Sequence, residues 1–149
     1  MLGVDQSAGI HSIAINNSKT LLAAGSGVAS DVIKVYKIPT FEPIAVLKGH
    51  VDMVFSLHWI QDTILVSGSR DKSLKLWKIP DHPNFSSDSN QDLHSHGNLP
   101  QLPCYASKVE HSDKVRDLSL DKITCQLYSL SADGLVKIWD CTKSFGGQI

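Results

Sequence analysis

Two groups of side chains in this 149-residue chain could do chemistry. The first is a Ser–His–Asp combination that occurs twice: His50, Ser67 and Asp71, then His111, Ser129 and Asp133. A hydroxyl, an imidazole and a carboxylate are the parts of a nucleophilic hydrolase, where the imidazole takes the serine proton and the carboxylate orients the imidazole. Each set is followed by a tryptophan, Trp77 and then Trp139. No G-x-S-x-G nucleophile elbow is present. Repetition also counts against catalysis, because an active site is needed once and a structural device recurs with every structural unit.

The second group is a set of candidate ligands. His94 and His96 form an H-x-H pair, with His82 before it and Cys104 after it. Metal ligands need a fixed geometry and supporting hydrogen bonds, and the polar stretch that carries these histidines offers neither, so no metal is expected. Gly25-Ser26-Gly27 could cradle a phosphate only if it opened a helix, and no helical pattern follows it. His11 and His58 read as strand residues at a sheet surface. No cofactor is expected.

The elements that must position these residues come from an internal repeat. Three stretches align: GIHSIAINNSKTLLAAGSGVASDVIKVYKIP from Gly9, GHVDMVFSLHWIQDTILVSGSRDKSLKLWKIP from Gly49, and EHSDKVRDLSLDKITCQLYSLSADGLVKIWD from Glu110. Tyr36 to Trp77 is 41 residues, and Trp77 to Trp139 is 62, one period plus an insertion. Each repeat reads as three short strands rich in β-branched and aromatic residues, separated by turn residues such as Gln61-Asp62 and Arg70-Asp71-Lys72. A fourth strand precedes the next repeat: Glu42 to Lys48 in the first unit and the region from Leu102 to Lys108 in the second. The insertion, 81–100, is polar and reads as a surface loop. Residues 1–48, 49–109 and 110–149 are therefore expected to be three successive units.

Composition fits one soluble all-β domain: 42% hydrophobic and 19% charged residues, with net charge −1. A nearly neutral chain gives no reason to expect nucleic acid or membrane as a partner. Cys104, Cys125 and Cys141 show no C-x-x-C spacing and cannot all pair within the chain, which suits reduced thiols in the cytoplasm or nucleus. No signal peptide is visible at the N-terminus.

The Gly49-His50 and Trp139-Asp140 dipeptides, spaced with Ser and Asp as above, resemble the WD40-repeat family of β-propellers. The resemblance implies an all-β fold of three WD40 blades belonging to a larger, seven-bladed propeller. It also implies that His50, Ser67, Asp71 and Trp77, and His111, Ser129, Asp133 and Trp139, form hydrogen-bonded structural tetrads inside their blades. The first blade is degenerate: Tyr36 stands for the tryptophan, the turn from Gly25 to Asp31 is longer, and it is open whether Asp31 takes the Asp role.

In WD40 proteins the partner-binding rim takes two inner-strand residues per blade, two apart, and the residue before the turn Asp. Here these are Met53, Phe55 and Arg70 in the second blade and Lys114 and Arg116 in the third. Lys114 and Arg116, at i and i+2, share a strand face while Val115 points inward. The apolar pattern then shifts parity between Val115 and Leu118, as a β-bulge would make it do. Arg70, Lys114, Arg116 and Phe55 are thus the expected ligand-binding residues, and a carboxylate-rich peptide would suit them.

The runs GIHSIAINNSKTLLAAGS, YKIPTFEPIAV, DMVFSLHWIQDTILVSGSRDKSLKLW, PQLPCYA and DKVRDLSL resemble the cullin-4-associated substrate receptors, the damaged-DNA-binding-protein- and cullin-4-associated factors. This resemblance implies a non-catalytic subunit that docks on the cullin-4 ligase adaptor and recruits substrate proteins with an acidic C-terminus. The alternative is a general WD40 scaffold with no ligase role. One departure is visible: Trp139-Asp140-Cys141 is followed by Thr142, so the W-D-x-R docking form is not present. Because closure removes sheet edges, three blades alone are expected to be part of a larger protein.

Overall fold

The computed structural model describes residues 9–27, 32–80 and 99–142. Asp31, His82, His94 and His96, with the readings attached to them above, lie outside the described residues.

Twelve strands occur among the described residues: β1 (Ile10–Ile15), β2 (Leu21–Ser26), β3 (Val32–Lys37), β4 (Glu42–Lys48), β5 (Val54–Gln61), β6 (Ile64–Ser69), β7 (Leu74–Lys78), β8 (Gln101–Pro103), β9 (Ala106–Lys108), β10 (Val115–Asp121), β11 (Gln126–Ser131) and β12 (Val136–Asp140). They form three sheets ordered β1-β2-β3-β4-β8, β5-β6-β7-β9 and β10-β11-β12. Consecutive strands pair antiparallel within each sheet, as short β-branched runs joined by two- to five-residue turns must. This is the all-β, bladed architecture of a WD40 propeller.

The stretch expected to supply the fourth strand of the second blade, Leu102 to Lys108, is split in two. Only Ala106–Lys108 joins that blade, antiparallel to β7. Gln101–Pro103 runs parallel to β4 of the first blade, with Val46 N–H donating to Pro100 O at 2.9 Å. Cys104 and Tyr105 carry the chain across, and Tyr105 N–H donates to Leu76 O at 2.8 Å. The unit boundaries drawn at 49–109 therefore assign β8 to the wrong sheet. Local composition could not reveal this, since a three-residue edge strand takes its partner from whichever edge lies beside it.

Two apolar seams hold the blades face to face. One joins Ile33, Val35 and Leu47 of the first blade to Val54, Leu57, Trp59, Leu65 and Trp77 of the second. The other joins Val66, Leu74 and Leu76 to Val115, Leu118, Leu127 and Trp139. Strand parity explains the split, because neighbouring residues point to opposite faces: Leu65 faces the first seam and Val66 the second. The second blade is buried on both sides, and the outer strand faces of its neighbours are not. Ile13 and Ile15 on β1 are more than half exposed, as are Val136 and Ile138 on β12.

Candidate functional site

The two Ser–His–Asp sets lie inside their blades. His50 Nδ1 is 2.7 Å from Asp71 Oδ2, and Nε2 is 2.6 Å from Ser67 Oγ. The ring thus bridges the carboxylate at Nδ1 and the serine hydroxyl at Nε2. Ser67 Oγ in turn accepts Trp77 Nε1–H at 2.8 Å. The third blade repeats the chain: 2.9 Å from His111 to Asp133, 2.8 Å from His111 to Ser129, and 2.8 Å from Trp139 to Ser129.

Both serines are fully buried at 0% exposure, so neither hydroxyl can meet a substrate carbonyl. The carboxylates also hold the rim turns. Asp71 accepts the Val51 and Ser73 amides, and Asp133 accepts those of Ser112 and Leu135. Burial alone would raise both carboxyls. For Asp71 the hydrogen bond and charge of His50, with the bonds from Ser73, outweigh it and hold the group well below the usual carboxylate range. For Asp133 the Leu135 amide and the His111 ring do the same and bring it to about 2.

The first blade carries different residues at the matching register. Ala24 stands where Ser67 stands and Tyr36 where Trp77 stands. An apolar cluster of Leu22, Ala24 and Tyr36, with Ile38 and Phe41 against it, fills the space instead.

The residues expected at the rim lie at the end of the blades where the inner strands begin. Each inner strand opens on a β-bulge at the same register: at His11 in β1, Phe55 in β5 and Arg116 in β10. The three strands start side by side. Ser12 Oγ donates to Val54 O at 3.4 Å, and Ser56 Oγ donates to Asp117 Oδ1 at 3.0 Å and accepts Leu118 N–H at 3.1 Å. A bulge turns one extra side chain out of the alternation, which frees His11, Phe55 and Arg116 from the packed seams. His11 and Phe55 meet edge-on with ring centroids 6.1 Å apart. Phe55 is half-buried and Arg116 exposed, while Val115 between the two basic residues is fully buried.

Arg70 sits at the tip of the β6–β7 turn, exposed, with its amide donating to Met53 O at 2.8 Å. Lys114 takes the place of Met53 in the third blade, its carbonyl accepting Ala132 N–H at 3.0 Å. Arg70, Lys114, Arg116 and Phe55 thus stand at one end of two neighbouring blades. His11 joins them from the first blade, a residue that sequence reasoning left as plain strand surface. The signal was present: Ile10-His11-Ser12-Ile13, Val54-Phe55-Ser56-Leu57 and Val115-Arg116-Asp117-Leu118 follow one pattern.

Cys104 is half-buried, its thiol donating to Ala106 O at 2.9 Å and pushed up by burial. Among the described residues no group of His, Cys, Asp and Glu has the arrangement of a metal site.

Similarity to known proteins agrees with this architecture. The chain is 29% identical over 126 residues to Coronin-like protein crn1 of Schizosaccharomyces pombe, covering 80% of this chain and 19% of that protein. It is 28% identical over 132 residues to the CCR4-associated factor 4 homolog of Candida glabrata, covering 88% and 21%. The chain therefore spans about a fifth of the length of these curated relatives. A chain in the crystal structure of a mitotic checkpoint complex superposes with a TM-score of 0.71 over 95% of this chain and 37% of that one, at 22% identity, which shows a shared fold. Residues 2–147 match the family described as the DDB1- and CUL4-associated factor 12 beta propeller, and the chain belongs to that family.

Proposed function

We propose that this chain is part of the propeller of a substrate receptor of a cullin-4 RING ubiquitin ligase, and that its rim takes acidic C-termini. The observation that carries the reading is the shared placement of Arg70, Lys114 and Arg116 at the bulge end of neighbouring blades, beside Phe55. Guanidinium groups bind carboxylates in bidentate fashion, and two adjacent carboxylates need cations from more than one point. The family, named for association with DDB1 and CUL4, supports the ligase role. The buried serines support a binding role without catalysis. Free thiols at Cys104, Cys125 and Cys141 fit work in the cytoplasm or nucleus.

The test is peptide binding by the full-length protein. Arg116→Glu should cut affinity for a peptide ending in two glutamates by tenfold or more, roughly what losing one charge-assisted pair implies. Unchanged affinity would overturn the assignment of the rim. The alternative reading, a WD40 scaffold with no ligase role, is favoured by the similarity to a coronin-like protein and a CCR4-associated factor. Co-purification with the cullin-4 adaptor separates the two.

A further inference from the structure

The basic residues of the rim are not equivalent. Arg70 Nε lies 3.7 Å from Asp52 Oδ2, with both side chains partly exposed. Among the described residues neither Lys114 nor Arg116 is ion-paired. Asp52 is held in place independently of Arg70: its Oδ1 accepts Met53 N–H at 2.8 Å and its carbonyl accepts Ser69 Oγ at 3.0 Å. The third blade has the same frame, with Asp113 Oδ1 accepting Lys114 N–H at 2.7 Å and Asp113 O accepting Ser131 Oγ at 3.0 Å. There the residue at the Arg70 position is Ala132, so no guanidinium meets Asp113. The third rim carboxylate, Asp117, turns its Oδ1 to Ser56 Oγ and the Leu118 amide.

We infer that Asp52 is an internal competitor in the rim, a carboxylate that occupies Arg70 until an acidic partner displaces it. The inference rests on the rim being a carboxylate-binding surface. A ligand with one carboxylate that takes Arg70 from Asp52 exchanges one ion pair for another and gains little. A ligand with two adjacent carboxylates also reaches the unpaired Lys114 and Arg116, and that second contact is net gain. Asp52 thereby lowers the affinity of every ligand that uses Arg70, and a ligand that also reaches Lys114 and Arg116 binds in spite of it. The pair is exposed and weak, as surface ion pairs are, so displacement is feasible and the penalty is modest.

Asp52→Asn tests this, since the amide oxygen still accepts Met53 N–H while the charge is gone. Binding of two fluorescent peptides to the full-length protein would be measured, one ending in two glutamates and one ending Gln-Gln, whose only terminal carboxylate is the α-carboxylate, at low and high salt. The expected result is tighter binding of both by about three- to fivefold at low salt, an effect the size of one exposed ion pair. The Gln-Gln peptide should gain by a similar factor, because the same Arg70–Asp52 pair is broken for each ligand, and both gains should shrink at high salt. In an Arg70→Gln background Asp52→Asn should gain nothing. Equal or weaker binding by Asp52→Asn, or a gain that persists without Arg70, would overturn the inference and leave the rim assignment standing. Wild-type protein that fails to bind either peptide would sink both.

Discussion

Gly68 on β6 faces Val115 on β10 across the seam between the second and third blades, and a β-carbon on Gly68 would lie 2.7 Å from Val115 Cγ1. Gly25 has the same place in the first blade, 3.0 Å from Val54 Cγ1 by the same measure. The two glycines let the fully buried valine that opens each next inner strand seat against the sheet. The third blade carries Leu130 at this register, on its uncovered face and 45% exposed. Gly68→Ala should therefore destabilise the fold by about 1–3 kcal/mol, the usual cost of overpacking. Leu130→Ala should change stability by less than about 0.5 kcal/mol, because it lies on an open face. Denaturant unfolding of the two variants checks the contrast; equal effects would mean that the seam is not close-packed.

Removing the tetrad hydroxyl should cost more than one hydrogen bond. Ser67→Ala leaves both Trp77 Nε1–H and His50 Nε2 without the partner they share. An unsatisfied buried polar group costs about 1–3 kcal/mol, so a loss of about 2–4 kcal/mol is expected. Ser129→Ala should behave alike, and the double variant should be additive because the two networks share no member. Esterase and peptidase activity should be absent from wild type and variants alike, and hydrolysis abolished by Ser67→Ala would revive the catalytic reading.

Acid should unfold the blades through the same networks. Asp71 and Asp133 have folded-state values below the unfolded carboxylate value of about 3.9. The unfolded chain thus binds more protons between the two values, and stability rises with pH across that window. Their contribution is fully present above about pH 5 and is lost as pH falls toward about 2, where Asp133 titrates in the fold. Thermal melts from pH 2 to 6 should show this slope, and Asp133→Asn should flatten it. A slope unaffected by that substitution would place the acid sensitivity elsewhere.

The third tryptophan joins two blades and takes no part in a tetrad. Trp59 is buried, and its Nε1–H donates to Ala14 O in the first blade at 3.0 Å. Trp59→Phe keeps most of the apolar contact and loses the bond and some volume, so a loss of about 1–3 kcal/mol is expected. The midpoint of urea unfolding should fall with an unchanged slope. A changed slope would show that the first blade separates from the second before the rest unfolds.

The sequence alone determined the repeat and the strands within it. Short strands obey a period of two, and turn residues punctuate them locally, so β4 to β7 and their turns are legible residue by residue. The tetrads were legible through the resemblance to WD40 repeats, carried by a Ser, His, Asp and Trp that recur at matched positions. Even the bulge at Arg116 was visible, as a break in apolar parity. The tertiary structure alone decided what depends on a neighbour. Gln101–Pro103 pairs with β4 because the first blade's outer edge lies beside it, a contact across more than fifty residues that no local pattern encodes. His11 joins the rim because its bulge stands next to that of Phe55. Asp52 meets Arg70 because two turns, at opposite ends of a hairpin in sequence, close on one another. Periodicity fixes which way a side chain points from its own strand, and only packing fixes what it then meets.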